Sequence, residues 1–240
     1  INDKEPIQNG NSFYRRELCL TNATEKIEFC QDDLIYQREF FVSMSEPVMA
    51  IHYHTSPKCN LEMSITLESE IKHKSAFFAE NGIILEGQAP IYVAPPYYSC
   101  EVPVVYEKGQ GIRFAIGLYV QTNGGNVYQQ ADKLFINTPN DVYIYVSGVT
   151  DFKQKELFFS KRNCMMENIQ HIQYEKQKKA HMDAYANYFD RMHLDINYTP
   201  DNELALKMFH YARYLMICSS VPGSQCTNLQ GIWNHHMRAP

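Results

Sequence analysis

No run of apolar residues approaches the roughly 18–20 needed to cross a bilayer as a helix, so no membrane span is read. A basic stripe is also missing. The chain sets 22 Lys and Arg against 27 Asp and Glu, a net charge of −5, which argues against nucleic acid as a partner. The seven cysteines (Cys19, Cys30, Cys59, Cys100, Cys164, Cys218, Cys226) include no C-x-x-C pair, which excludes zinc-ribbon and zinc-finger spacing. Their odd number leaves at least one thiol outside any intrachain bridge. There is no G-x-S-x-G elbow, no phosphate-cradling glycine loop and no H-E-x-x-H helix. The opening Ile1-Asn2-Asp3-Lys4 lacks a basic region followed by an apolar core, so no targeting segment is read. Tryptophan is reduced to one residue, Trp233.

What remains is ordinary globular material, 45% hydrophobic and 20% charged, which excludes wholesale disorder. Tyrosine is abundant, with 17 residues. That suits half-buried strands, and it also suits surfaces that meet sugars or proteins. Residues 12 to about 152 read as short strands. Tyr36 to Val42 is aromatic and β-branched, while Ile51–His54 and Met63–Leu67 alternate with a period of two. Ile83–Leu85, Val102–Tyr106, Ile112–Val120 and Val142–Val146 continue the series. Turn residues such as Asn81-Gly82, Lys108-Gly109-Gln110-Gly111 and Asn123-Gly124-Gly125 separate them. This spacing predicts an antiparallel sandwich.

After Thr150-Asp151-Phe152 the period changes. Asn163 to Met192 holds neither Pro nor Gly and reads as helix. Ala184, Tyr188 and Met192 form its apolar stripe, with His181, Tyr185 and Phe189 on the adjacent row. A second helix is predicted from Thr199, the N-cap, with Pro200 in the first turn, to about Ser219-Ser220. Its stripe of Leu204, Met208, Ala212 and Leu215 needs either further helices or the sandwich to cover it.

Candidate chemistry is sparse. His52 and His54 share one strand face, but no spacing supplies a third ligand, so no metal and no cofactor are assigned. His235 and His236 are adjacent and diverge. Glu17, Glu39, Glu62 and Glu68 fall in strands and read as a solvated face, and no spacing selects the carboxylate pair that a glycosidase needs. The exception is Asn228 to Asn234. There Asn228, Gln230 and Asn234 flank Trp233, offering paired donors and acceptors beside a ring that stacks on sugars. The same residues would equally plug a helix end and tie down loop backbone.

Arg213-Tyr214-Leu215, Ser219-Ser220-x-Pro222-Gly223-Ser224 and Asn228-Leu229-Gln230-Gly231-Ile232-Trp233-Asn234 resemble glycoside hydrolase family 95. Tyr14-Arg15-Arg16-Glu17-Leu18-x-Leu20 and Tyr36-Gln37-Arg38-Glu39-Phe40-Phe41-x-Ser43 resemble strands of that family's sandwich. His181-x-x-x-Tyr185-x-x-x-Phe189-x-Arg191 resembles its linker helix. The chain departs from the pattern at His210-Tyr211-Ala212, Cys226-Thr227 and His235-His236-Met237-Arg238.

The resemblance implies a mainly β fold: an antiparallel super-sandwich over 1–155, a helical linker over 156–198, and the first helix and loop of an (α/α)6 barrel over 199–240. It implies an inverting α-L-fucosidase of terminal α-1,2-linked fucose, or an α-L-galactosidase, needing no cofactor and acting on fucosylated oligosaccharides in the periplasm or outside the cell. By the same token the catalytic residues are expected beyond Pro240, and the 240-residue chain alone is expected to be inactive. Asn228, Gln230, Trp233 and Asn234 are then neighbours of the substrate pocket. The rival reading from a different class is a carbohydrate-binding or structural sandwich without catalysis.

Overall fold

A computed structural model of the chain describes residues 13–31, 33–56, 61–138, 140–194, 196–197, 199–228, 233–234 and 236–238. The strands come first: β1 (Tyr14–Cys19), β2 (Thr24–Gln31), β3 (Leu34–Val42), β4 (Val48–Ser56), β5 (Leu61–Ile65), β6 (His73–Phe78) and β7 (Gly82–Gln88). There follow β8 (Tyr92–Val93), β9 (Val104–Val105), β10 (Arg113–Thr122), β11 (Asn126–Gln130), β12 (Lys133–Thr138) and β13 (Asp141–Thr150). A 3-10 turn, Lys155–Leu157, leads into α1 (Phe158–Ile169), α2 (Tyr174–Phe189) and α3 (Pro200–Ser219).

Eight strands form one sheet in the order β1-β2-β3-β4-β13-β10-β7-β6, three form a second, β11-β12-β5, and β8 pairs with β9. Every pairing among the described residues is antiparallel. The fold is therefore mainly β, as expected. Alternation decides what each face of the large sheet covers. Tyr53, Ile83, Leu118, Val120, Val142 and Ile144 face the small sheet and close on its Leu61, Ile65, Leu134 and Ile136. The opposite face carries Phe41, Ala50 and Tyr145 against Ile169 and Tyr174, and Ile84 and Ala115 against Phe158 and Met165. The helices thus form a third layer. Gly117 in β10 permits their close approach, because a Cβ there would lie 3.0 Å from Met165 Cε and 3.2 Å from Ile169 Cδ1.

The single long helix expected over 163–192 is two helices. The break falls where β10 reaches across: Gln121 Nε2 donates to the carbonyls of Gln170 and Ile172, both at 3.1 Å. The Gln170 carbonyl is one that a helix end leaves without a partner and the Ile172 carbonyl lies in the connection, so a strand side chain holds the break between the helices. The buried row of α2 also differs from expectation. Tyr174, His181, Tyr185 and Phe189 are buried, whereas Met192 lies exposed beyond the helix. Both rows are apolar enough to serve, and the sheet surface selects the one with hydrogen-bonding tips. Tyr185 donates to the Leu20 carbonyl at 2.9 Å, and Gln177 donates to Ser43 Oγ at 2.7 Å.

His181 is the fixed point of this layer. It is 1% exposed and stacks on Phe41 with centroids 4.8 Å apart. The Met44 N–H donates to Nδ1 at 3.2 Å, so Nδ1 carries no proton, and Nε2–H donates to the Asn22 carbonyl at 2.9 Å. A second ring proton would point at the Met44 N–H. Burial holds its pKa below the usual 6.5, although the carbonyls of Asn22 and Ala23 pull the other way. In the unfolded chain the ring protonates first as pH falls, so folding stability is full above about pH 6.5 and declines below it, by at most about 1.4 kcal/mol per pH unit for one proton. Denaturant unfolding at pH 7.5 and 5.5 checks this. His181→Phe is expected to flatten the decline without abolishing it, because His210, lowered by its own burial and by Arg213, acts in the same direction. An unchanged slope in that variant would rule the assignment out.

At α3 the predicted start holds: Thr199 Oγ1 accepts from the Asn202 N–H at 3.2 Å, and Pro200 opens the helix. Arg213 joins α3 to α2. It donates to the carbonyls of Phe189 at 2.5 Å and Met192 at 3.1 Å and lies over the Phe189 ring. Tyr214, Ile217 and Cys218 pack with Ala23, Tyr185 and Phe189. The predicted stripe is not the packed one: Leu204 and Met208 are exposed.

Candidate functional site

The segment singled out by sequence lies beyond α3. Trp233 is 53% exposed and lines a cleft of about 710 Å³ together with Arg16, Leu18, Glu25, Tyr211, Tyr214 and Leu215. β1 and β2 supply one wall, because their short turn returns Glu25 opposite Leu18 in register. α3 supplies the other through Tyr211, Tyr214 and Leu215, which sit three and four residues apart on one helix face. Arg16 donates to Glu25 at the cleft wall, and that hydrogen bond and charge raise the Arg16 pKa. Burial and the neighbouring Cys218 push the Tyr214 phenol up to about 12, and burial takes the Cys218 thiol to about 11. Both stay protonated at neutral pH, so neither supplies an anionic nucleophile.

Neither Asn228 nor Asn234 is among the described residues that line the cleft. Asn228 and Asn234 are both exposed. Asn234 Oδ1 accepts from the His236 N–H at 2.9 Å, a turn that ties down backbone. Gln230 and His235 lie outside the described residues. Three residues past Asn234, Met237 leads into Arg238, whose guanidinium donates to the carbonyls of Ala94 (2.9 Å), Pro95 (2.7 Å) and Tyr98 (3.2 Å). That clamp sets the segment beside the β8–β9 loop, where Tyr97 and Tyr98 are exposed. Trp233 is itself an exposed indole, the kind of apolar, hydrogen-bonding surface that sugar rings use. Among the described lining residues the cleft offers one carboxylate, Glu25, already paired. Glycoside hydrolysis ordinarily takes two.

A second polar cluster, which sequence spacing did not disclose, lies on the helix-facing side of the large sheet. Glu39 was expected on a solvated face, yet its side chain is 13% exposed. It accepts from Lys178 Nζ at 2.6 Å and Tyr174 Oη at 3.0 Å, and Lys26 is 3.3 Å away. Burial alone would raise its pKa, but Lys178, Tyr174 and Lys26 outweigh that and hold it below the usual range. Next to Glu39 in register is His52, and opposite His54 is Asp141 of β13. His52 Nε2 and His54 Nδ1 lie 2.8 and 2.9 Å from the same Asp141 oxygen. The third group that the His52–His54 spacing lacked is supplied by a strand 89 residues along the chain from His52.

Known proteins place this arrangement in context. Residues 4–155 match the family described as glycosyl hydrolase family 65, N-terminal domain. The chain belongs to that family. Residues 197–240 match the glycosyl hydrolase family 95 catalytic domain, in line with the resemblance read from the sequence. A curated Arabidopsis thaliana protein, alpha-L-fucosidase 2, is 26% identical over 95% of this chain and 31% of its own length. Among solved structures, a putative kojibiose phosphorylase from the human microbiome superposes with a TM-score of 0.58 at 10% identity, covering 86% of this chain and 28% of the other. At that identity the likeness concerns the fold, and it agrees with the sandwich-and-helix architecture. The chain thus spans under a third of the length of these relatives. A glycoside hydrolase is the class to which both family matches point.

Proposed function

We propose that this chain is the sandwich (1–155), linker (156–198) and opening barrel helix (199–240) of an inverting α-L-fucosidase that removes terminal α-1,2-linked fucose from glycans. The observation that carries this reading is the succession of a family 65 N-terminal domain and a family 95 catalytic-domain segment in a chain related along 95% of its length to an alpha-L-fucosidase. Inversion requires an acid and a base separated widely enough to admit a water. In this reading both are supplied by sequence downstream of residue 240. The protein works in the periplasm or outside the cell, on fucosylated oligosaccharides, without a cofactor in its chemistry. Trp233, with Asn228, Gln230 and Asn234 around it, borders the substrate pocket and does not touch the reacting bond.

The test compares the 240-residue chain with the gene product extended through the catalytic domain, each incubated with 2′-fucosyllactose and with an α-L-galactoside. Fucose released by the extended form alone is the expected result. Galactose in its place would shift the reading to the α-L-galactosidase, while release by the short chain would overturn the placement of the acid and base.

A further inference from the structure

We propose that His52, His54 and Asp141 form a zinc-type divalent-cation site that staples β4 to β13. Strand geometry brings the three side chains together. Residues i and i+2 of a strand point to the same face, so His52 and His54 present both imidazoles to the helix side. Asp141 is the register partner of His54, which brings its carboxylate between the two rings. One donor atom from each residue lies within 4.8 Å of the others. A tetrahedral zinc ion with bonds of about 2.0–2.2 Å spaces its ligand atoms by roughly 3.3 Å. The present 2.8 and 2.9 Å separations from the shared Asp141 oxygen need to open by only a few tenths of an ångström.

The surroundings are those of a held ligand set. Asn140 Nδ2 donates to the other Asp141 oxygen at 2.6 Å, and Tyr143 stacks on the His52 ring with centroids 4.4 Å apart. Such outer contacts orient metal ligands and sustain affinity. The side chains of His52, His54 and Asp141 are 21%, 33% and 15% exposed, so an ion and a fourth ligand from water can reach them. Two imidazoles and one carboxylate suit zinc and related transition metals, whereas calcium and magnesium favour oxygen alone. The site depends on neither the cleft at Trp233 nor the proposed fucosidase chemistry.

Cobalt(II) and zinc are added to chelator-stripped 240-residue protein, with stoichiometry read by native mass spectrometry and affinity by calorimetry. The expected result is one equivalent bound, with cobalt d–d absorption and no thiolate charge-transfer band, since six of the cysteines are free thiols that could compete. His54→Gln and Asp141→Asn should each weaken binding tenfold or more. Their metal-free melting temperatures establish that they are folded, and His52→Gln provides an independent third variant. Zinc should raise the melting temperature of the wild type and not of the variants. Absence of binding at micromolar metal, binding unaffected by the folded variants, or a thiolate band would overturn the proposal and leave the three residues as a hydrogen-bonded clasp.

Discussion

Arg113→Ala is expected to cost about 3–5 kcal/mol of folding stability, because it strands a buried carboxylate without its partner. Asp151, 2% exposed, accepts from the Arg113 N–H at 2.9 Å and from its Nε at 2.8 Å. The same guanidinium donates to the Lys155 carbonyl at 2.8 Å and lies over the rings of Phe158 and Phe159. One side chain thus closes the end of β13, the following turn and the start of α1. Asp151→Ala should cost less, since the Arg113 side chain is 34% exposed and can turn to water. Acidification gives an independent check. In the wild type burial would raise the Asp151 pKa, but Arg113 holds it below the usual 3.8, so its contribution is full above that value and lost as pH falls through the depressed one. Without the Arg113 side chain, burial is opposed only by the residue-113 backbone N–H and the charge of Lys155, so the Asp151 pKa rises. Asp151 then takes up a proton on folding, and the deficit against wild type should shrink as pH is lowered from 7 to 5. Denaturant titrations at the two pH values decide it, and an equal cost for the two alanine variants would refute the asymmetry.

Phe41→Ala should be comparably damaging, again about 3–5 kcal/mol, the usual cost of emptying a buried aromatic position. Phe41 is 2% exposed, stacks on His181 and lies 5.7 Å from the Tyr174 ring. It joins the large sheet to α2 through both rings, so its loss should free the helix before it frees the strands. Amide exchange is expected to accelerate across Tyr174–Phe189 more than in β10 or β13. Phe41→Leu, which keeps most of the volume, should cost less than about 1.5 kcal/mol. Uniform acceleration of exchange would mean that α2 and the sheet unfold as one unit.

The strands most legible in the sequence were those buried on both faces or built of alternating β-branched and aromatic residues: β3, β4, β7, β10 and β13. No strand was read at β2, β6, β11 or β12, and β6 and β11 carry polar, exposed residues that leave no period to read. Val102–Tyr106 contracted to Val104–Val105, since Pro103 cannot donate to a ladder. The break between α1 and α2 and the choice of the His181 row both depend on residues of the sheet, Gln121 and Phe41. No local window contains them. At the candidate site, the sequence picked out Trp233, which does line a cleft. The Asn234 amide proved to serve its own backbone, and Asp141 gave no signal because its partnership with His52 and His54 exists only through strand register.

That register also bears on the order of assembly. β13 is the central strand that joins β4 to β10, yet among the strands of the large sheet it is the last in the chain. During synthesis β1–β4 can pair with one another early, but they must wait with one side of β4 open until β13 emerges, and β10 waits likewise. Neither half of the large sheet can complete its hydrogen bonding alone. Contacts so far apart in sequence make for slow folding, and the nascent chain carries an unfilled sheet edge, rich in Ile51 and Tyr53, until β13 has been made.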